Sequence, residues 1–203
     1  MSGSKQEKPL DRYVGALSAD EIAAGINVAA RNAARLASDA RILLDAHRFP
    51  TAASIAALAI EEAGKVSILR RLSMARDEKE IKSVWREYRS HRAKSTSWIL
   101  PDLVARGAIS LNDFKDAVDQ EGEHTLILDA VKQIGLYSDC YGDRHWSEPF
   151  EVVEESLARQ LVMTAEVLSK RDEVSPREIS LWKEILGPVW ETPAMTEALL
   201  RWH

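Results

Sequence analysis

The sequence has 203 residues, of which 45% are hydrophobic and 29% are charged, and its formal net charge is −5. This length is enough to bury one hydrophobic core, and the acidic balance argues against non-specific binding of polyanions over the whole surface. A single cysteine, Cys140, excludes an internal disulfide, and no apolar run approaches the roughly 20 residues that span a bilayer. We therefore expect a cytoplasmic protein with no membrane span.

The first elements of the chain are predicted by capping residues and apolar spacing. Residues 1–17 lack periodicity and are expected to form a flexible arm. Ser18 and Glu21 form a capping box, and apolar residues then recur at helical spacing as far as position 43. Pro50 ends this helix and suits the first turn of a second one, which we expect to run to about Arg76.

The rest of the chain also has the spacing of helices, and no segment alternates with a period of two. The expected elements are a third helix from Glu78 to Leu100, a fourth helical region at 111–139, an ordered loop at 141–150, a fifth helix at 151–171, and two short C-terminal helices that begin with Ser175-Pro176 and Thr192-Pro193. We therefore predict an all-α antiparallel helical bundle, with residues 18–203 forming one domain.

Polar side chains are predicted in positions that should face the core. Helical projection places Glu62 inside the apolar stripe of the second helix, so it needs a partner from another helix. Its neighbour Glu61 lies at the flank of the stripe and is expected to pair with Lys65. The same projection turns His91 inward, either as a core residue hydrogen-bonded to Glu62 or as a general acid or base in a polar cleft.

Basic residues are concentrated between Arg70 and Lys94, where nine Lys or Arg residues stand against four acidic ones. This segment forms either a solvated helix face or a stripe that binds phosphate or nucleic acid. Lys132 and Asp139 are seven residues apart on one predicted helix face. They either line the same groove as Lys94 or form a surface pair.

Three segments together carry a family resemblance. They are Ala-x-Leu-Ala-Ile-Glu-Glu-Ala-Gly-Lys at 56–65, the run from Trp85 to Lys94 with its Arg-x4-His pattern, and Lys132-Gln133 with Tyr137-Ser-Asp139. In this order they resemble the AbiV-type abortive-infection branch of the HEPN superfamily, over about residues 20–170. Many HEPN proteins are helical-bundle ribonucleases of defence and toxin systems.

The resemblance implies a homodimer with a metal-independent endoribonuclease site and no cofactor. His91 would be the acid or base and Arg86 would stabilise the phosphate. On a regular helix these two residues are about 140° apart, so the helix bends near Ser90, the long Arg86 side chain reaches around, or Arg86 meets the site across a dimer interface. The residues expected to support the site or bind RNA are Lys94, Glu61, Glu62, Lys65, Arg89, Lys132, Tyr137 and Asp139.

Other functions remain open at this stage. A non-catalytic helical module would block translation by binding a phage or host protein, and a phage-encoded activator or a cognate inhibitor is a further possible partner. Glu121 and His124 have the spacing of one di-iron ligand pair, but the second pair that such a centre needs is missing from the sequence. Cys140 and His145 lie in one loop without a third group to orient a nucleophilic dyad.

Overall fold

The computed structural model describes residues 12–94, 123–142, 144–190 and 192. Its helices are α1 Ala19–Asp45, α2 Phe49–Leu72, α3 Glu78–Arg89, α4 His91–Lys94, α5 Glu123–Leu136, α6 Pro149–Val152, α7 Glu155–Ser169 and α8 Pro176–Leu186, followed by a 3-10 turn at Gly187–Val189. Two antiparallel strands of two residues each, β1 Cys140–Tyr141 and β2 His145–Trp146, form the only sheet within these ranges. The all-α fold class is confirmed.

The start of α1 follows from its capping residues. Ser18 Oγ accepts a hydrogen bond from the Glu21 backbone nitrogen at 3.2 Å, and the Ser18 backbone nitrogen donates to Glu21 Oε2 at 2.8 Å. At the other end, His47 adopts a positive φ of 56° in the turn before α2, and Pro50 occupies the first turn of that helix. These residues join α1 and α2 as a helical hairpin.

Helix α2 is the central element of the fold. It contacts α1, α3, α4, α5, α6 and α7, and buried residues surround most of its circumference. Alanines occupy much of the contact between α1 and α2, which lets the two backbones approach closely. Those buried alanines are Ala29, Ala33, Ala37 and Ala40 on α1 and Ala52, Ala53, Ala56, Ala57 and Ala59 on α2.

A second core cluster joins α3 to the N-terminal half of α1. Trp85 is 8% exposed, and its indole nitrogen donates to the carbonyl of Gly15 at 2.9 Å. Arg89 donates to the carbonyl of Tyr13 at 2.6 Å, and the Tyr13 and Trp85 rings meet edge to face. Residues 12–17 of the predicted arm are therefore held against α3, while residues 1–11 lie outside the described residues.

The structure corrects several predicted helix bounds. Helix α2 ends at Leu72, the Ser73 hydroxyl bonds back to the Arg70 carbonyl, and Asp77 then caps α3. The predicted third helix breaks at Ser90, which has extended backbone geometry.

Further along the chain, the predicted loop at 141–150 contains β2 and part of the hairpin turn. The predicted fifth helix begins at Glu155, after the separate short α6. Residues 111–122, the expected stop at Pro101 and the second C-terminal helix lie outside the described residues. In the described part of the chain, no helix combines the length and apolar character needed to cross a membrane.

Candidate functional site

Three helices place charged side chains around one buried carboxylate. Glu61 lies near the middle of α2 and is only 3% exposed. Helix α4 contributes His91 and Lys94, and α5 contributes Lys132. We call these four residues the Glu61 cluster.

Both carboxylate oxygens of Glu61 have cationic or polar partners. Oε2 lies 2.8 Å from His91 Nδ1 and 3.6 Å from Lys94 Nζ. Oε1 accepts a hydrogen bond from Lys132 Nζ, and that ammonium group also lies 3.1 Å from Asp129 Oδ1. Because a buried carboxylate is costly unless it is paired, these contacts explain how Glu61 is accommodated in the core.

The contact with Glu61 assigns the neutral tautomer of His91. A carboxylate only accepts hydrogen bonds, so Nδ1 donates to Glu61 Oε2. Lys132 Nζ lies 3.3 Å from the same Nδ1, but a protonated ring nitrogen cannot accept, so we read this approach as a contact without a hydrogen bond. The lone pair then resides on Nε2 of a side chain that is 60% exposed, which suits proton transfer with a molecule in solution.

Lys94 has an unusual electrostatic environment. Its side chain is only 9% exposed, and this burial lowers the pKa of its ammonium group below the ordinary value of 10.5. The carboxylate of Glu61 acts in the opposite direction, and the positive charges of Lys65 and Lys132 lower the pKa further. Lys94 therefore binds its proton less tightly than a lysine on the surface.

Two glycines allow the helices of the cluster to approach α2. A Cβ atom at Gly64 would overlap the backbone carbonyl of Lys94, so only glycine permits α4 to pack this closely. A Cβ atom at Gly135 would lie 2.8 Å from the carbonyl oxygen of Pro50 and would overlap the hydroxyl of Ser54. The glycines therefore let α4 and α5 bring their cations to Glu61.

The break at Ser90 determines where His91 lies. Ser90 has φ −80° and ψ 129°, and its hydroxyl accepts a hydrogen bond from the Ala93 backbone nitrogen at 3.4 Å, as an N-cap residue does. Helix α4 thus begins in a new direction, and the projection along one continuous helix does not apply. His91 is consequently exposed rather than inward as predicted, although its Nδ1 reaches a buried partner.

The two adjacent glutamates have exchanged their predicted roles. Glu61 is the buried residue, whereas the Glu62 side chain is 20% exposed and pairs with Lys65 on its own helix at 2.5 Å. The Lys65 ammonium group also lies 5.3 Å from the centre of the Tyr88 ring. The predictions of a Glu62 partner from another helix and of a Glu61–Lys65 pair were therefore wrong.

Neither arginine of the predicted motif belongs to the Glu61 cluster within one chain. Arg86 is exposed on α3, and its guanidinium lies 3.5 Å from Ser83 Oγ. Arg89 stacks on Trp85, with 5.2 Å between its Cζ and the ring centre, and holds the segment around Tyr13. The break at Ser90 separates both arginines from the direction of α4.

The final pair of predicted residues lies beyond α5. Tyr137 is 61% exposed immediately after the end of the helix. Asp139 starts the β-hairpin: its Oδ1 accepts from the Cys140 backbone nitrogen at 2.7 Å, and its carbonyl accepts from the Ser147 backbone nitrogen at 2.8 Å. Lys132 and Asp139 therefore do not share a helix face, because α5 ends at Leu136.

Asp129 and Gly64 were missed as contributors to the site. The i,i+3 spacing of Asp129 and Lys132 is the sequence signal that pairs them. Among the described residues, no group of three or more His, Cys, Asp or Glu side chains is arranged to hold a metal ion. Glu121, Asp143 and the side chain of His124 lie outside the described residues.

Comparison with known proteins identifies the family. The family model HEPN_AbiV, described as AbiV, matches residues 21–170. The chain belongs to the AbiV family of HEPN proteins. No curated protein and no solved structure matches the chain.

Membership in the AbiV family makes the chain a HEPN module of the abortive-infection type. The matched residues extend from the capping box of α1 to the end of α7, so they contain every member of the Glu61 cluster. The family assignment and the cluster therefore concern the same helical body.

Proposed function

We propose that this AbiV-family protein is a metal-independent endoribonuclease that cleaves host or phage RNA in the cytoplasm and arrests growth during infection. The observation that carries the proposal is the exposed His91 ring, which is bound through Nδ1 to the buried carboxylate of Glu61. A histidine oriented in this way is suited to move a proton at a substrate that approaches from solution.

The proposed reaction begins at a ribose 2′-hydroxyl. His91 Nε2 accepts the hydroxyl proton while the 2′-oxygen attacks the adjacent phosphorus. The bond from phosphorus to the 5′-oxygen breaks, and the leaving oxygen takes a proton from solvent. The products are a 2′,3′-cyclic phosphate and a 5′-hydroxyl end, and Glu61 stabilises the imidazolium formed during the attack.

Lys94 and Lys132 are proposed to support this reaction indirectly, through their contacts with Glu61. Each lysine side chain is 9% exposed, and its ammonium group contacts the Glu61 carboxylate. They balance the negative charge of Glu61 and fix its orientation, so that the carboxylate holds the His91 ring in one position. We therefore assign them positioning roles.

Arg86 is the residue whose proposed role depends on a second copy of the chain. Within the described residues, the Arg86 side chain forms one hydrogen bond, to Ser83 Oγ on α3. This contact lies away from the Glu61 cluster. A homodimer that brings Arg86 to the partner's cluster would supply a cation for the charge that develops on the phosphate oxygens. Dimer formation and Arg86 catalysis are therefore proposed together.

Growth arrest provides the first test. Wild-type protein and His91→Ala are expressed in infected cells, and 5′-hydroxyl and 2′,3′-cyclic phosphate RNA ends are sequenced after arrest. His91→Ala is expected to lose both new RNA ends and arrest, since general acid–base catalysis contributes about 10²- to 10⁴-fold. A folded His91→Ala protein that still arrests growth would exclude the proposed role of this histidine.

A matched control uses a second exposed histidine. His145 lies on β2, outside the Glu61 cluster, so His145→Ala is expected to retain both RNA cleavage and arrest. If neither the wild type nor His145→Ala produces RNA ends, but both bind a phage or host protein and stop translation, the chain acts as a non-catalytic module. Comparing infected with uninfected cells also tests for a phage-encoded activator.

A further inference from the structure

A small cleft lies on another side of Lys94, between α2, α4 and the end of α7. Its volume is about 70 Å³. The residues that line it are Ile60, Ala63, Gly64, Ser67, Lys94, Leu168 and Arg171. Two of these seven residues are cations and none is acidic, so the cleft has a positive lining between mainly apolar walls.

Arg171 lacks a balancing negative charge within the described parts of the chain. The charged neighbour that acts on it is Arg70, a like charge. The Arg171 residue is exposed, but nearby protein groups displace part of its water and lower the pKa of its guanidinium, and Arg70 lowers that pKa further. An anion bound between Arg171 and Lys94 would offset the repulsion between neighbouring cations.

The nearby carboxylates are already engaged by other groups. Glu178 lies 2.5 Å from the guanidinium of Arg70, which also stacks on Trp182 with 5.1 Å to the ring centre. Glu61 is shared among Lys94, Lys132 and His91. Neither Glu178 nor Glu61 forms an ion pair with Arg171 in the described part of the chain.

We propose that the cleft between Lys94 and Arg171 binds a phosphate group. This inference rests on the proposed function, because the phosphate bound during the reaction would belong to the RNA strand. It would lie next to the linkage that His91 cleaves. Free inorganic phosphate has the same chemistry and would occupy the same cleft. Lys94 connects the cleft to the Glu61 cluster, since it lines the cleft and contacts Glu61.

The composition of the cleft fits this ligand. A guanidinium group offers paired donors that match two phosphate oxygens, and an ammonium group adds a compact charge. The apolar walls formed by Ile60 and Leu168 reduce screening by water, which strengthens attraction between the cations and an anion. Gly64 also lines the cleft, without a side chain.

Calorimetric titration of the full chain tests the proposal with two probes. One is inorganic phosphate, and the other is a short 2′-O-methyl RNA, which lacks the attacking hydroxyl and cannot be cleaved. Arg171→Gln is expected to weaken binding of both probes by about tenfold, because a charge-assisted contact to phosphate is lost. Arg171→Lys retains the charge and is expected to restore part of the affinity.

Lys170→Gln is the matched control, since it removes the same charge one residue away and Lys170 does not line the cleft. It is expected to change either affinity by less than about twofold. Equal affinities for Arg171→Gln and Lys170→Gln would overturn the phosphate site. Binding of RNA but not of inorganic phosphate, with no dependence on Arg171, would overturn it as well.

Measuring RNA cleavage and phosphate binding on the same proteins separates this proposal from the ribonuclease proposal. If the wild type never cleaves RNA while phosphate binding still depends on Arg171, the site stands and the ribonuclease proposal fails. If the wild type cleaves RNA and Arg171→Gln binds both probes normally, only the phosphate site fails.

Discussion

Two ionic contacts between helices differ in their burial and in the number of groups that share one carboxylate. Between α1 and α7, Arg41 donates two hydrogen bonds to Glu166, at 2.8 Å and 2.7 Å, and about a third of each side chain is exposed. In the Glu61 cluster, one buried carboxylate serves two ammonium groups and an exposed imidazole. The first contact is a closed pair, whereas in the second one carboxylate is shared among three groups, one of which is exposed.

This difference separates a structural contact from a candidate for chemistry. A partly exposed pair is screened by water and contributes little to stability. A buried cluster is screened less by water, yet it is often no more stabilising than apolar packing of similar volume. The Glu61 cluster with its exposed histidine is therefore the candidate for function, while the Arg41–Glu166 pair fixes α7 against α1.

The largest expected effect follows removal of the central carboxylate. Glu61→Ala leaves Lys94 and Lys132 buried without the partner that they share, and this change is expected to cost about 3 kcal/mol of unfolding free energy. Urea unfolding followed by circular dichroism measures the difference. Glu62→Ala, the matched change one residue away, removes a more exposed pair and is expected to cost about 1 kcal/mol or less. Similar losses for the two variants would remove the distinction between these glutamates.

The next effect concerns the close packing that assembles the cluster. Gly64→Ala adds a Cβ atom where the Lys94 carbonyl lies, so α4 must shift, and we expect a loss of about 2 kcal/mol. Thermal unfolding measures this loss, and RNA cleavage should fall as well because His91 moves with α4. Gly25→Ala provides the contrast: its Cβ would meet only the flexible end of Leu69 at 3.4 Å, so stability should rise by about 0.5 kcal/mol. A Gly64→Ala protein as stable and active as the wild type would contradict the packing argument.

The smallest effect belongs to the closed pair between α1 and α7. Hydrogen bonds from Arg41 lower the pKa of Glu166 below its ordinary value of 4.5, so the carboxylate contributes stability above pH 4.5 that is lost as the pH falls through its folded-state pKa. Glu166→Gln is expected to cost about 0.5 kcal/mol at pH 7, once screening by solvent is considered, and progressively less as the pH falls below 4.5. Unfolding curves over this pH range measure the change. A loss that stayed constant across the range would assign the effect to packing instead.

The fold was largely predictable because local signals agreed with one another. Ser18 and Glu21 form both halves of the predicted capping box, and Pro50 starts α2 as expected. A bend near Ser90 was one of three alternatives predicted from the sequence, but a helix end was not, since the sequence there contains neither Pro nor Gly. The extended geometry at Ser90 accompanies the packing of α4 against Gly64, which is a tertiary contact.

The site was predictable in composition but not in arrangement. Glu61, His91, Lys94 and Lys132 were all named from the sequence, yet Glu62 was expected to be the buried glutamate. Periodicity could not choose between the two because α2 is covered by other helices on most sides, so its apolar residues form no single stripe. The expectation that Arg86 acts at His91 stays a prediction that depends on a second copy of the chain.

The central claim is that Glu61 acts through His91 to cleave RNA. Cleavage rates of a short RNA are measured, in the presence of a chelator, for the wild type, Glu61→Gln, His91→Asn and the double variant, after circular dichroism has shown that each protein is folded. We predict that the wild type cleaves despite the chelator, that His91→Asn lowers the rate by about 10²- to 10⁴-fold, and that adding Glu61→Gln to it lowers the rate no further. Wild-type cleavage by folded His91→Asn, or losses that simply add in the double variant, would contradict the account.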